Sequence, residues 1–374
     1  YPKNVDYAYD LFFRIPQKRR KWLSVVDADG TGLVHTSTAR LTGRKVFAWG
    51  TGPGGTRWQE YLCGPGQAFF EVQAGLARTQ YHSVPMPAGE QWTWTEAFGY
   101  MAADPAKAHA DWQTAWEEIG GILDRRLPEE ELDKLDTEFA KVTESAPEEM
   151  IKRGLGWAAL EKYRAEFQKQ TTGIPDELPF TKGDVGTEQA TWIQRLEYGV
   201  LPERVPDQDP GEYMIQSEWH SLMEASVKTD KGNHWLSWLH LGVMRMEDKD
   251  KIGARKAWEK SNELRPNGWA LRNLAVWYLR EKQPETALDY YMKAWDIGPK
   301  FTQLALEIIP VLNDLKKLED LRTFLDSLPE AAKQHERIVL EFAKQALRAE
   351  DINLLEKLPD MEYSTIREGK AILS

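Results

Sequence analysis

From Trp238 onward the sequence keeps a spacing that paired helices satisfy and strands do not. Trp238, Leu241, Gly242, Ala254, Trp258 and Pro266 return, with variation, as Leu271, Leu274, Ala275, Tyr278, Ala287, Tyr291, Ala294 and Pro299. Two weaker units end at Pro329 and Pro359, so the four prolines fall 33, 30 and 30 residues apart. A period of about 34 residues is that of a stacked helix–turn–helix unit. Gly242, Ala254, Ala275 and Ala287 let paired helices approach closely. The large apolar positions fill the space between them, and each proline stops the second helix before the next unit. Such arrays build grooves for other molecules and seldom carry chemistry.

This spacing is the tetratricopeptide pattern, and it predicts an all-α solenoid over residues 212–374. The remainder of the 374 residues leaves room for one or two further domains. Residues 1–103 read as a portion of an antiparallel β-sandwich. Trp22 to Asp27 and Gly32 to Thr38 flank the turn Asp27-Ala28-Asp29-Gly30 and predict a hairpin. A calcium loop starting at Asp27 would need a bidentate Glu at its twelfth position, where Thr38 stands. Lys45 to Trp49, Phe69 to Leu76 and Trp92 to Tyr100 read as further strands. Gly50 to Arg57 lacks the Gly-Lys-Ser/Thr ending of a phosphate loop and reads as a long loop between strands. From Asp104 the period becomes helical: Asp104 with Pro105 opens a helix toward Leu123, a second starts at Pro128, and a third runs from Pro147 to about Gln168. We therefore expect a helical connector over 104–172, an irregular linker with a short helix over 173–211, and repeats thereafter.

A net charge of −11 argues against nucleic acid or an anionic membrane as the main partner. No apolar run approaches the ~20 residues that span a bilayer, and there is no signal peptide. The single cysteine, Cys63, excludes an internal disulfide, reads as buried filler and fits the cytoplasm. The chain opens at Tyr1 without an initiator Met, as a fragment or processed product would. The seven histidines form no metal motif, so neither metal nor cofactor is expected. His35 reads as a hydrogen-bonded strand histidine.

Chemistry, if present, is best placed on the strand Phe69 to Leu76. Alternation puts Phe70, Val72, Ala74 and Leu76 on one face and Glu71, Gln73 and Gly75 on the other, with Arg78 and Gln80 extending the polar series if the strand continues. Glu71 is the candidate acid/base. Gln73, Arg78 and Gln80 are candidate contacts for hydroxyls. Glycoside hydrolysis needs a second carboxylate, for which Glu60 and Glu96 are the nearest candidates. Trp49, Trp58 and Trp94, among 16 tryptophans, offer stacking faces.

The runs Gly43–Gly50, Trp58-Gln59-Glu60, Glu71–Gln80, Trp92–Gly99 and Gly154–Glu161 resemble a family of large bacterial proteins. These proteins join a galactose-mutarotase-like β-supersandwich to tetratricopeptide repeats. The resemblance covers nearly the whole chain and implies that residues 1–100 are the closing part of such a sandwich. It also implies carbohydrate as the ligand class, with an activity like that of a glycoside hydrolase or sugar epimerase. The family's upstream Gly-Gly-x-Glu-Phe-Asn stretch is absent from this sequence. The alternative reading is a non-catalytic scaffold that binds a protein or peptide partner, or self-associates, through the repeats.

Overall fold

The computed structural model describes residues 6–356 of the chain. It divides into two compact units, Tyr1–Pro147 and Glu148–Ser374. The first holds two three-stranded antiparallel sheets. Sheet A has the order β1 (Tyr9–Phe12), β4 (Gly43–Ala48), β5 (Phe70–Gly75). Sheet B has the order β2 (Lys21–Val26), β3 (Thr31–Ser37), β6 (Glu96–Ala102). The turn at Asp27–Gly30 closes the β2–β3 hairpin. Asp29 accepts from the Thr31 amide and hydroxyl at 2.9 and 2.8 Å, and Gly30 adopts φ +82°, where a Cβ would lie 2.3 Å from the Ala103 carbonyl.

Three helical details of this unit differ from the sequence reading. The glycine-rich stretch after β4 runs into α1 (Pro53–Cys63) and is not a loop throughout. Pro53 fits the first helical turn, where its missing N–H costs nothing. The Gln59 side chain staples the helix by donating to Gly50 O at 2.7 Å and accepting from Phe69 N at 3.0 Å. Cys63 is exposed at the end of this helix, not buried. The helix expected from Asp104 is broken into α2 (Pro105–Ala108) and α3 (Trp112–Arg126), because Asp111 caps a fresh start by accepting from Gln113 N and Thr114 N. α3 lays Ile119, Ile122 and Leu123 on Val34 and Met101 of sheet B, and α4 (Glu129–Thr143) follows.

In the second unit α5 spans Gly156–Gln168, so the helix expected from Pro147 starts nine residues later. Phe180 packs so closely on Gly154 that a Cβ there would lie 2.4 Å from its ring. After α6 (Ala190–Tyr198) and α7 (Ser217–Ser226) come the helix pairs. These are α8 (Trp235–Glu247) with α9 (Lys251–Leu264), and α10 (Gly268–Arg280) with α11 (Pro284–Ile297). α12 (Thr302–Asp314) pairs with α13 (Leu318–Asp326). The short α14 (Glu330–Lys333) precedes α15 (Glu336–Arg348) and α16 (Ile352–Leu355). The expected repeat terminator Pro359 and residues 357–374 lie outside the described residues. Among the described residues no helix is long and apolar enough to cross a membrane.

The turn inside each pair is the same. Lys249, Lys282, Lys316 and Glu350 take φ +65°, +59°, +54° and +54° one residue before the second helix's cap. Within pairs, Gly242 meets Trp258 so closely that a Cβ would lie 2.2 Å from the indole nitrogen, and Ala254 and Ala287 are fully buried. Leu at either alanine should overpack the contact and destabilise the unit by roughly 1–3 kcal/mol. Chemical denaturation checks this, and a change below about 0.5 kcal/mol would place the contact elsewhere.

Candidate functional site

The residues singled out in the first unit fall on two sheets. In sheet A, Asp10 opposes Phe47, which opposes Glu71, while Phe12 opposes Lys45, which opposes Gln73. Those side chains therefore share one face. Gln73 Nε2 donates to Glu71 Oε2 at 2.5 Å. The Lys45 ammonium is 2.7 Å from Asp10 and donates to Gln80 Oε1 at 2.9 Å. β5 ends at Gly75, so Arg78 and Gln80 stand in a bend and do not extend its alternation. Gln80 still reaches the row through Lys45, and Arg78 is exposed outside it. Trp49 stacks on Trp58 of α1 at 5.2 Å, each covering one face of the other. Glu60, on the same helix, is exposed and accepts from Gly66 N.

Glu96 opens β6 of sheet B, and Trp94 lies just ahead of that strand. Glu96 accepts from the Trp94 indole at 3.1 Å and bonds His35 Nε2 at 2.9 Å. His35 is 1% exposed and stacked on Phe98, and burial, reinforced by the Arg44 charge, holds its pKa below the usual value. Arg44 is itself buried. Its guanidinium donates to the carbonyls of Leu41, Gly43 and Lys21 and to the Ser37 hydroxyl, and burial draws its pKa down to about 10. Hydrogen bonds to neutral oxygens alone do not repay desolvation of a cation, so Arg44 is a costly structural tie.

The more informative arrangement lies in the second unit, at the end of the stretch expected to be an irregular linker. Residues 201–215 are irregular and are held against α6, α8 and α10 by side-chain donors. Trp235 donates its indole N–H to Arg204 O at 2.9 Å and Trp269 to Pro206 O at 2.8 Å. His240 Nε2 bonds Pro210 O at 3.0 Å, and Trp192 donates to Glu212 O at 2.9 Å. All four acceptors are backbone carbonyls, which every residue presents. Leu201 and Met214 are buried at the ends, and the Arg204 guanidinium ties the loop by donating to Asp209 O and Thr191 Oγ1.

Beyond the loop, polar side chains link the first helices of successive pairs. Arg272 of α10 donates to Glu307 of α12 at 2.6 and 2.9 Å, and Tyr291 adds a third bond to the same carboxylate. Asn313 of α12 bonds both Glu341 and Arg348 of α15 at 3.2 and 3.0 Å. Lys344 pairs with Glu341 at 2.7 Å. Among the described residues no group of three or more His, Cys, Asp or Glu is placed to hold a metal ion.

No protein-family model and no curated protein matches the sequence. Among solved structures, a tetratricopeptide-domain-containing protein from Parabacteroides distasonis matches 96% of this chain with a TM-score of 0.52 at 15% identity. The chain spans 53% of that protein's length. At that identity the likeness is one of fold: small antiparallel sheets followed by tetratricopeptide-type helical repeats. Two shorter matches cover 37% of this chain each. They are pilF of Pseudomonas aeruginosa (TM-score 0.32, 19% identity, 64% of that chain) and YrrB, described as a tetratricopeptide protein with an unusual peptide-binding site (TM-score 0.30, 14% identity, 74% of that chain).

Proposed function

We infer that this protein is an interaction scaffold whose repeat helices hold a segment of another polypeptide. The observation that carries this reading is the loop at 201–215: four ring N–H donors grip main-chain carbonyls of an irregular stretch, with no demand on its sequence beyond shape. A helix face built to hold the chain's own irregular segment uses the interactions that would hold a foreign one. The open continuation is the polar row of α10, α12 and α15, whose alternating cations and carboxylates suit a partner bearing both signs of charge.

Peptides selected by display against the full chain test the reading. The expected result is binding weakened at least about tenfold, or ~1.4 kcal/mol, by Arg272→Ala or Lys344→Ala, with unchanged melting. Failure to enrich any peptide, or equal binding by both variants, would remove the reading.

The polar face of sheet A carries a second reading, contact with carbohydrate as the mutarotase-like resemblance implies. What favours it is the row Glu71, Gln73, Lys45 and Gln80 on one sheet, with the stacked Trp49–Trp58 pair in the same unit. It is the lesser reading, because these polar groups already satisfy one another and each indole covers its neighbour. A glycan array on wild type and Glu71→Gln decides it. Retention of a sugar by wild type and its loss in the variant supports the contact, and an empty array ends it.

A further inference from the structure

β2 is an outer strand of sheet B, and its free edge opens into a cavity of about 660 Å³. The phase of the ladder settles which groups face the cavity. Asp27 N donates to Thr31 O at 2.7 Å, and on the far side of β3 Ala103 N donates to Gly30 O at 2.9 Å. Residues 21, 23, 25 and 27 therefore turn their main chain toward β3. Trp22, Ser24 and Val26 turn theirs outward. Those outward N–H and C=O groups meet no hydrogen-bond partner among the described residues. Unpaired edge groups are a template for another strand.

The cavity fits what such a strand carries on its two faces. One wall is α3, with Trp112, Trp116 and Ile119, and the other is the apolar face of sheet A, with Leu11, Val46 and Phe70. A strand laid beside β2 would send alternate side chains to these walls. The stretch before β2 is fixed by the Lys21 ammonium, which donates to the carbonyls of Pro16, Gln17 and Arg19 at 2.8, 3.0 and 2.8 Å. This holds three arginines at the rim. Arg20 is paired with Asp124, but Arg19 lies over the Trp116 ring at 4.7 Å without a carboxylate, and Arg14 has no ion pair among the described residues. In a chain of net charge −11 this is a local cationic rim.

We propose that the β2 edge and its cavity are a strand-addition site for an extended peptide segment of another polypeptide, apolar at alternate positions and bearing a carboxylate that meets Arg14 and Arg19. Main-chain pairing with Trp22, Ser24 and Val26 supplies the binding, and the two apolar walls and the cationic rim supply the selection. The site is independent of the repeat unit and of the peptide it is inferred to hold.

The probe is a nine-residue peptide of alternating Val and Thr with Asp at each end. Its control is the same peptide with every Val and Thr nitrogen methylated, which removes the donors the ladder needs in either register. Hydrogen exchange of the full chain should show the amides of Trp22, Ser24 and Val26 protected at least about tenfold by the probe and unchanged by the control. Arg14→Glu, at an exposed position, should weaken the acidic probe and leave an uncharged version of it unaffected. Ser24→Pro removes the outward main-chain donor, together with the hydroxyl bond to Leu33 O that Ser24→Ala removes alone, so it should abolish probe binding where Ser24→Ala does not, while the β2–β3 ladder stays protected. If Ser24→Pro fails to fold, the methylated control carries the same information. Equal binding of probe and control would mean that the cavity takes any apolar ligand, and would overturn strand addition. So would protection of the three amides that rises with protein concentration alone, since the occupant would then be a second copy. No binding up to about 1 mM probe would end the proposal outright.

Discussion

Trp235→Ala should destabilise the repeat unit by about 3–5 kcal/mol. The indole is 2% exposed within the cluster that joins α6 and α7 to the first helix pair, so truncation leaves a cavity that neighbours on several helices cannot all close. It also strips the Arg204 carbonyl of its donor, while the Trp235 carbonyl still accepts from Ser261 Oγ at 2.8 Å. Against a total stability of about 5–15 kcal/mol, such a loss is a fifth or more. Trp235→Phe keeps most of the bulk and removes the donor, and should cost about 1 kcal/mol plus a small packing term. Urea denaturation of the helical transition measures both. Limited proteolysis supplies a local readout, because cleavage within residues 201–215 should accelerate in both variants before global stability is lost. If Trp235→Ala cost under about 1 kcal/mol, the indole would not be the anchor that its burial implies.

The helix pairs were legible in the sequence because their packing demands are strict and local. Gly242 cannot carry a Cβ against Trp258, and Ala254, Ala275 and Ala287 have no room for more, so the small residues mark the register directly. The turns were not legible. Lys249, Lys282, Lys316 and Glu350 occupy a left-handed conformation for which their side chains give no preference, and only the pairing of the helices imposes it. α1 was hidden for a related reason. Gly54 and Gly55 argue against helix by propensity, and the compensation comes from Gln59, whose bonds to Gly50 and Phe69 are visible only once β4 and β5 are in place. β1 went unrecognised because Tyr9–Phe12 is short and its alternation is weak.

For the candidate site, alternation was enough to put Glu71 and Gln73 on one face. It was silent on Lys45, which joins that face through the β4 register and is then paired with Asp10 of the unrecognised β1. Glu96 was a nearest candidate for the second carboxylate beside Glu71, yet the strand order puts it in the other sheet, with Trp94 just ahead of β6. Most of the loop at 201–215 fell in the expected irregular linker over 173–211, because prolines interrupt both periods. The same prolines contain its signal: such a stretch forms no ladder of its own, so its carbonyls need outside donors. Trp192, Trp235 and Trp269 recur on either side of it, and all three indoles are used that way.

Acidification should weaken the repeat unit through His240. Its side chain is completely buried, Nε2 bonds the Pro210 carbonyl, and Nδ1 meets no partner among the described residues, so the ring is neutral in the folded chain. Burial pulls its pKa from 6.5 down to about 4, with the Pro210 bond opposing that pull and the Arg204 charge adding to it. The unfolded chain therefore takes up a proton near pH 6.5 and the folded chain only near pH 4. Between those values the unfolded state binds more protons, so stability falls as pH falls, by on the order of 3 kcal/mol in all, and is unaffected by this group above the upper value. His234 is shifted in the same direction, also by burial, and steepens the slope. His240→Gln keeps a donor for Pro210 and cannot be protonated, so the variant should lose most of the slope across this window. Urea midpoints of the helical transition, taken for both proteins at several pH values across it, measure the difference. Because surface carboxylates titrate alike in the two proteins, parallel curves would show that His240 does not couple the loop's anchorage to pH.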